Sequence, residues 1–204
     1  MSDINQIRSM FPALSMDVYG KRLVYFDNAA TSQRPVQVLD LFKQSSVEAN
    51  SNIHRAVHFL SSKATKEYEE TREAVRAFIN AADSKEVIFT SGTTASINTV
   101  AYSFGEAFVR EGEEIVVSEE EHHSNIVPWQ LLCERKGAVL KVLPVEEDGV
   151  LEIRKLENII GEKTRIVAIS HVSNVLGMVN PVKEIVRICH SKGCPVLVDG
   201  AQGI

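Results

Sequence analysis

The sequence predicts an α/β fold with three layers, in which a mostly parallel sheet is flanked by helices on both faces. Short runs of β-branched and other apolar residues alternate with longer amphipathic segments, which is typical of parallel sheets joined by helical crossovers. The chain has 204 residues and is 44% hydrophobic, with no internal repeat. It can therefore bury a core of its own, in about one domain or slightly more.

The strands and helices follow from the same alternation. Strands are predicted at the apolar runs Val87–Thr90, Ile115–Ser118, Val139–Leu143, Arg165–Ser170 and Pro195–Asp199. Helices are predicted at Val36–Ala49, Ser61–Ala81, from Ser91–Thr94 to about Val109, Ser124–Glu134, Glu152–Ile160 and from Pro181 to Gly193. Gly137 suits a C-terminal cap, Pro181 suits a first helical position, and Asp148-Gly149 indicates a turn.

Composition excludes several classes of protein. The net charge is −5 and no basic stripe is present, so we expect no nucleic-acid partner. The cysteines, Cys133, Cys189 and Cys194, are few and odd in number, which argues against a disulfide scaffold and for a reducing compartment. The N-terminus lacks the apolar segment of a signal peptide, and no apolar run is long enough to span a membrane. We therefore expect a cytoplasmic protein with no membrane partner.

Ligands of open parallel sheets bind beyond the carboxyl ends of the strands, so the residues there are the candidate site. The first strand is followed by Ser91-Gly92-Thr93-Thr94, where small residues and hydroxyls precede a helix. Free backbone N–H groups and Thr hydroxyls at a helix start can bind a phosphate. The alternative is ordinary N-capping by Ser91 or Thr93. The Gly-Lys-Ser/Thr ending of a P-loop is missing.

Two histidines follow the second strand, within Glu119-Glu120-Glu121-His122-His123-Ser124. Adjacent histidines seldom face the same way and no partner lies one helical turn further on, so we predict no metal site. A histidine that stacks on a ligand or exchanges a proton is favoured, and His122 is the candidate. The alternative is a polar loop before a helix capped by Ser124.

Polar residues also follow the last two predicted strands. His171 and Asn174 follow one, and Asp199 and Gln202 end the other. A carboxylate at the end of an apolar strand is costly without a cationic partner, although Asp199 could instead cap a helix. Pyridoxal phosphate (PLP) matches the set: a phosphate for the Thr93 turn, a flat ring for a histidine, and a ring nitrogen that pairs with a carboxylate.

The same residues carry a resemblance to a known family. The chain resembles the N-terminal half of the SufS/CsdA-type cysteine desulfurases, in the class-V aminotransferase family. The matching stretches occur in order along nearly the whole chain: Tyr25–Pro35, Ile53–His58, Thr90–Thr94, Glu121–Gln130, His171–Gly177 and Val198–Gln202.

The resemblance implies a PLP-dependent transferase of fold type I with an incomplete large domain. It implies a reaction that removes sulfur from L-cysteine, or selenium from L-selenocysteine, to give L-alanine. Thr93 and Thr94 would bind the cofactor phosphate, and His122, the one catalytic residue assigned here, would stack on the ring. Asp199 would pair with the ring nitrogen, and Gln202 would bond the phenolic oxygen.

Further roles follow from the same resemblance. Asn174 would contact the cofactor or the substrate carboxylate, and Ala29, His54 and Arg55 would line the substrate pocket or the dimer edge. Residues 1–18 would belong to a small domain and residues 19–204 to the N-terminal part of the PLP-binding large domain. A homodimer, and a sulfur-acceptor protein that serves iron–sulfur cluster assembly, are also implied.

The family's Schiff-base lysine and persulfide cysteine have no counterparts in this sequence. The lysine follows the strand that carries Asp199, and the three cysteines match ordinary buried thiols better. We therefore interpret the chain as a fragment that is inactive by itself, and expect it to be poorly soluble or to need a partner chain. The alternatives are another lyase or transaminase of the family, a PLP-binding module without catalysis, and a bare structural fragment.

Overall fold

The computed structural model describes residues 3–203 and divides into two units, the first ending at Phe89 and the second beginning at Thr90. Residues 1, 2 and 204, at the outer limits of the two predicted domains, lie outside the described residues. None of the described helices has the length and apolar character needed to cross a membrane.

The first unit is mainly helical. Its elements are α1 (Ile4–Ser9), a 3-10 helix (Pro12–Ser15), the short antiparallel strands β1 (Asp17–Val18) and β2 (Lys21–Arg22), α2 (Val36–Glu48), α3 (Phe59–Phe78) and a second 3-10 helix (Ser84–Glu86). The two predicted long helices are thus confirmed. A capping box at Asp83 and Glu86 starts the second 3-10 helix, because each side chain accepts from the backbone of the other end.

The predicted strand Val87–Thr90 is wrong. Within the described residues this stretch pairs with no strand, and the side chain of Ile88 is 71% exposed. Arg72 of α3 holds the stretch instead, since its guanidinium donates to the Val87 carbonyl and lies 5.4 Å from the centre of the Phe89 ring. The run is apolar, as a strand would be, but a strand also requires a neighbouring strand to pair with.

The second unit contains the parallel sheet. Its elements are α4 (Thr93–Phe108), β3 (Glu114–Ser118), a 3-10 helix (His123–Asn125), α5 (Val127–Lys136), β4 (Val139–Leu143), α6 (Ile153–Ile159), β5 (Thr164–Ser170), α7 (Val182–Ser191) and β6 (Val196–Asp199). The strand order is β4-β3-β5-β6 and every pairing is parallel. The other four predicted strands are confirmed, with shifts of at most one residue.

Helices cover both faces of this sheet, which confirms the three layers. Alternate residues of a strand point to opposite faces. Val116 of β3 and Val167 of β5 join one buried cluster with α6 and α7, whereas Ile115 and Ile166 join a second cluster with α4 and α5. Burial on both faces explains why these strands read as continuous apolar runs.

The connections bring one end of α4 to the carboxyl edge of the sheet. The segment 109–113 joins the C-terminus of α4 to the amino end of β3, and α4 contacts the 3-10 helix His123–Asn125 beyond the carboxyl end of that strand. The first turn of α4 therefore lies at the same edge as the segments that follow β3, β5 and β6. This is the edge at which open parallel sheets bind ligands.

Candidate functional site

The first turn of α4 offers unpaired backbone donors. Gly92 precedes the helix with φ of 138°, a conformation that only glycine adopts readily. Among residues 3–203 no side chain caps the helix, so the alternative of capping by Ser91 or Thr93 is wrong. Ser96 donates the first intrahelical bond, to the Gly92 carbonyl, which leaves the N–H groups of Thr93 and Thr94 ahead of the ladder. This turn can bind an anion.

The turn after β3 presents His122 at the surface. Its exposed ring accepts from the Ser124 N–H at 3.1 Å through Nδ1, and the same nitrogen lies 2.8 Å from the Ser124 hydroxyl. The side chain of His122 therefore caps the 3-10 helix His123–Asn125, and the predicted cap by Ser124 is wrong because α5 begins only at Val127. One ring nitrogen is engaged locally, and the exposed ring lies edge to face with the His123 ring, with 6.0 Å between their centres.

A buried hydrogen-bond network lies under this turn, and it was missed from the sequence. Glu121 accepts from the Ser118 hydroxyl at 2.5 Å, from the Asn125 amide at 2.7 Å and from the Ser170 N–H at 2.7 Å. The Asn125 amide oxygen in turn accepts from the indole N–H of Trp129 at 3.0 Å. Burial, together with the nearby carboxylate of Asp199, raises the pKa of Glu121, while the three donors oppose that shift.

Asp199 ends β6 and is 7% exposed. Its carboxylate accepts from the Ala201 N–H at 3.0 Å, and within residues 3–203 no basic side chain lies within ion-pair distance of it. A buried carboxylate without a cationic neighbour can accept a hydrogen bond from a positively charged donor of a ligand.

The turn that follows β6 is packed against the neighbouring strand end. The His171 N–H donates to the Asp199 carbonyl at 2.8 Å. A Cβ on Gly203 would lie 2.3 Å from Nδ1 of His171, so the backbone beside Gln202 approaches the ring closely. The absence of a side chain at Gly203 therefore sets how near the segment 200–203 comes to β5.

Asn174 lies in a turn that leaves β5 and returns. The segment is closed by an antiparallel bridge between Val172 and Val179, and the Gly177 N–H donates to the Ser173 carbonyl at 3.0 Å. The Asn174 side chain is half-buried. The structure thus brings the turn of Thr93 and Thr94, His122, Asn174, Asp199 and Gln202 to one edge of one unit.

The remaining predicted residues, Ala29, His54 and Arg55, belong to the first unit. Ala29 lies in an exposed turn. His54 has φ of 59°, an unusual conformation for a residue other than glycine, and its Nε2 lies 3.1 Å from a carboxylate oxygen of Glu69. Its N–H donates to the Thr65 hydroxyl at 3.0 Å. Ala29, His54 and Arg55 are therefore described only by their surroundings within the first unit.

The cysteines are free and buried, as predicted. Burial raises the pKa of Cys189 to about 12 and that of Cys194 to about 11. Burial also raises the pKa of Cys133. Such thiols are poor nucleophiles at neutral pH. Among residues 3–203 no group of three or more metal-binding side chains comes together.

Comparison with known proteins gives concordant matches. The family model of the aminotransferase class-V proteins matches residues 24–204. A probable cysteine desulfurase of Staphylococcus aureus (strain COL) is 56% identical over 98% of this chain and 48% of its own length. A probable cysteine desulfurase of Halalkalibacterium halodurans is 52% identical over 97% of this chain and 49% of its own length.

A solved structure agrees with these matches. The crystal structure of the cysteine desulfurase CsdA from Escherichia coli is 35% identical, with a TM-score of 0.85, over 100% of this chain and 50% of its own. The chain thus spans about half the length of the curated relatives it matches.

Proposed function

The chain belongs to the class-V aminotransferase family, and from this premise we propose that it is the cofactor-binding half of a PLP-dependent cysteine desulfurase. The observation that carries the proposal is the meeting, at one sheet edge, of a helix start without a side-chain cap, an exposed histidine and a buried carboxylate that forms no ion pair within residues 3–203. The match to curated cysteine desulfurases supports the substrate class.

The donor set fits PLP. The N–H groups of Thr93 and Thr94, with the hydroxyls of the same residues, would hold the phosphate, because these N–H groups precede the first intrahelical bond of α4. Asp199 would accept from the protonated ring nitrogen, since no other cation is present to stabilise this buried carboxylate within the described residues. When bound, PLP supplies an electron sink for the substrate carbon.

The other residues would position the ligands and move protons. The exposed imidazole of His122 would stack on the pyridine ring of the cofactor. Its other nitrogen, Nε2, would exchange a proton with the reacting atoms. Gln202 would bond the phenolic oxygen of the cofactor. Asn174, half-buried beside β5, would bond the cofactor or the substrate carboxylate, and Ala29, His54 and Arg55 are proposed to contact the substrate.

The activity of the whole protein is part of the same proposal. It would act in the cytoplasm on L-cysteine or L-selenocysteine, as a homodimer, and pass sulfur to an acceptor protein for iron–sulfur cluster assembly. Residues 1–18 would form part of a small domain and residues 19–204 part of the large domain. The 204 residues by themselves would be inactive, because their three thiols are buried.

A fusion tests this function. The chain is joined to the C-terminal half of the Staphylococcus aureus relative, and alanine released from L-cysteine in the presence of PLP is measured. We expect alanine from the fusion and none above the PLP blank from the chain alone. A fusion that folds and binds PLP but releases alanine from no substrate would contradict the proposal. Turnover of another amino acid in place of cysteine would assign a different lyase of the family.

A further inference from the structure

The residues on both sides of His122 are tied to one another and to the neighbouring strand. Glu121 and Asn125 are buried, and the Asn125 amide bonds one oxygen of the Glu121 carboxyl at 2.7 Å, which closes the turn that carries His122. The other oxygen accepts from the Ser170 N–H, at the end of β5. Ser170 pairs in register with Asp199 on β6. One carboxyl group therefore links the His122 turn to the strand end beside Asp199.

Other contacts also hold this turn, since the 3-10 helix His123–Asn125 packs against α4, α5 and β5. Among the described residues, the His122 side chain bonds only within the turn, to Ser124, and the Asn125 N–H donates back to the His122 carbonyl at 2.8 Å. A second link joins the Glu120 carboxylate to the Asn180 amide at 2.6 Å, but one Glu120 oxygen is buried without a partner. Glu121 accepts three hydrogen bonds, more than are found for Glu120, and therefore holds the turn more firmly.

From this geometry we propose that Glu121 is a positioning residue of the cofactor site, which fixes the His122 ring relative to Asp199 by clamping the turn 121–125 onto the end of β5. This inference rests on the proposed function for its ligand, PLP. The Glu121 carboxyl is buried below the turn and acts through His122. It is a different residue from those assigned to hold the cofactor.

The donor and acceptor pattern provides a specific test. In Glu121→Gln an NH2 group replaces the carboxylate oxygen that faces the NH2 group of Asn125, so two hydrogen-bond donors face each other. If the Asn125 amide rotates to offer its oxygen to the new NH2 group, its own NH2 group then faces the indole N–H of Trp129, which is also a donor. In the double variant Glu121→Gln with Asn125→Asp, the amide and the carboxylate exchange places. Every hydrogen bond of the chain from Ser118 to Trp129 can then form again.

The matched control is Glu114→Gln. Glu114 lies at the opposite end of β3, where it accepts from Thr164 at 3.1 Å and pairs with Lys141 at 2.8 Å. This variant also removes a hydrogen-bonded carboxylate, at the amino end of the strand that precedes the turn. It leaves the carboxyl edge of the sheet unchanged.

The first readout needs no cofactor. Amide hydrogen exchange of residues 121–126 is measured in the purified chain, and we expect exchange about tenfold faster in Glu121→Gln, near wild type in the double variant and unchanged in Glu114→Gln. The second readout is PLP affinity, which is measured from the quenching of the fluorescence of Trp129, the one tryptophan in the sequence. We expect affinity about tenfold weaker in Glu121→Gln and restored in the double variant.

The outcomes separate this inference from the proposed function. If Glu121→Gln exchanges and binds PLP like wild type, Glu121 does not position the turn. If exchange follows the predicted pattern but wild-type chain binds no PLP, the clamp is supported and the cofactor assignment fails. If Glu121→Gln does not fold, the double variant decides: wild-type exchange and affinity support the clamp, and a folded double variant with a fast-exchanging turn overturns it.

Discussion

Replacing Asp199 with Asn should weaken ligand binding without lowering the stability of the ligand-free chain. The carboxylate is 7% exposed, has one backbone donor at 3.0 Å and forms no ion pair within residues 3–203. An amide in its place keeps the bond from Ala201 but loses the charge. A hydrogen bond to a charged group contributes about 1.5–3 kcal/mol, which corresponds to about 10- to 100-fold in affinity.

We therefore expect Asp199→Asn to bind PLP about 10- to 100-fold more weakly in equilibrium dialysis. The melting temperature of the ligand-free chain should not fall, because the variant removes a buried charge that has no cationic partner. Unchanged PLP affinity together with a lower melting temperature would refute this reasoning. That result would make Asp199 a structural carboxylate.

The same variant should change how stability depends on pH. Burial is the main cause that raises the pKa of Glu121 above its usual 4.5, and repulsion from Asp199 adds to it. A group with a raised folded-state pKa contributes stability that is present below its unfolded pKa and is lost as pH rises through its folded pKa. Asp199→Asn should reduce that loss, so its advantage over wild type should be larger at about pH 7 than at about pH 4. A difference independent of pH in urea unfolding would contradict the coupling.

The remaining predictions concern the glycine turn and the thiols. Gly203→Ala should destabilise the chain by about 1–3 kcal/mol and weaken PLP binding, because its Cβ would lie 2.3 Å from the His171 ring. Gly161→Ala is the control, since its Cβ would meet nothing within 4 Å; equal effects in urea unfolding would refute the crowding argument. Cys189 and Cys194 should react with a thiol reagent only slowly until denaturant is added, because burial raises the pKa of both. Fast reaction of either thiol in the folded chain would contradict its burial.

The sheet could be predicted from its apolar runs, because β3 and β5 are buried on both faces and the more exposed strand β4 is still apolar at four of its five positions. Val139–Leu143 was predicted to the residue, and β3, β5 and β6 to within one. The stretch 87–90 has the same apolar character, but pairing depends on residues distant in sequence, and the structure gives this stretch no strand partner among residues 3–203. Local pattern determines which runs are apolar, and tertiary contacts determine which of them pair.

The sequence indicates the candidate residues that directly follow strands, but it does not indicate the buried residues that lie under those turns. His122 and Asp199 stand at positions that fold class alone marks as ligand-facing. Glu121 follows two further glutamates, and nothing local distinguishes it from them. Its role depends on Ser170, which is 49 residues away in sequence. The left-handed backbone of His54 likewise has no local signal of the kind that glycine gives.

The central proposal is that residues at the carboxyl edge of the sheet bind PLP without a covalent bond to a lysine of this chain. The most direct test saturates the purified chain with PLP, measures the bound ligand, reduces the complex with borohydride and maps the labelled peptides. We predict saturable binding of about one PLP per chain, lost on reduction followed by denaturation, with no single lysine labelled. The absence of saturable binding, or the labelling of one specific lysine, would contradict the account.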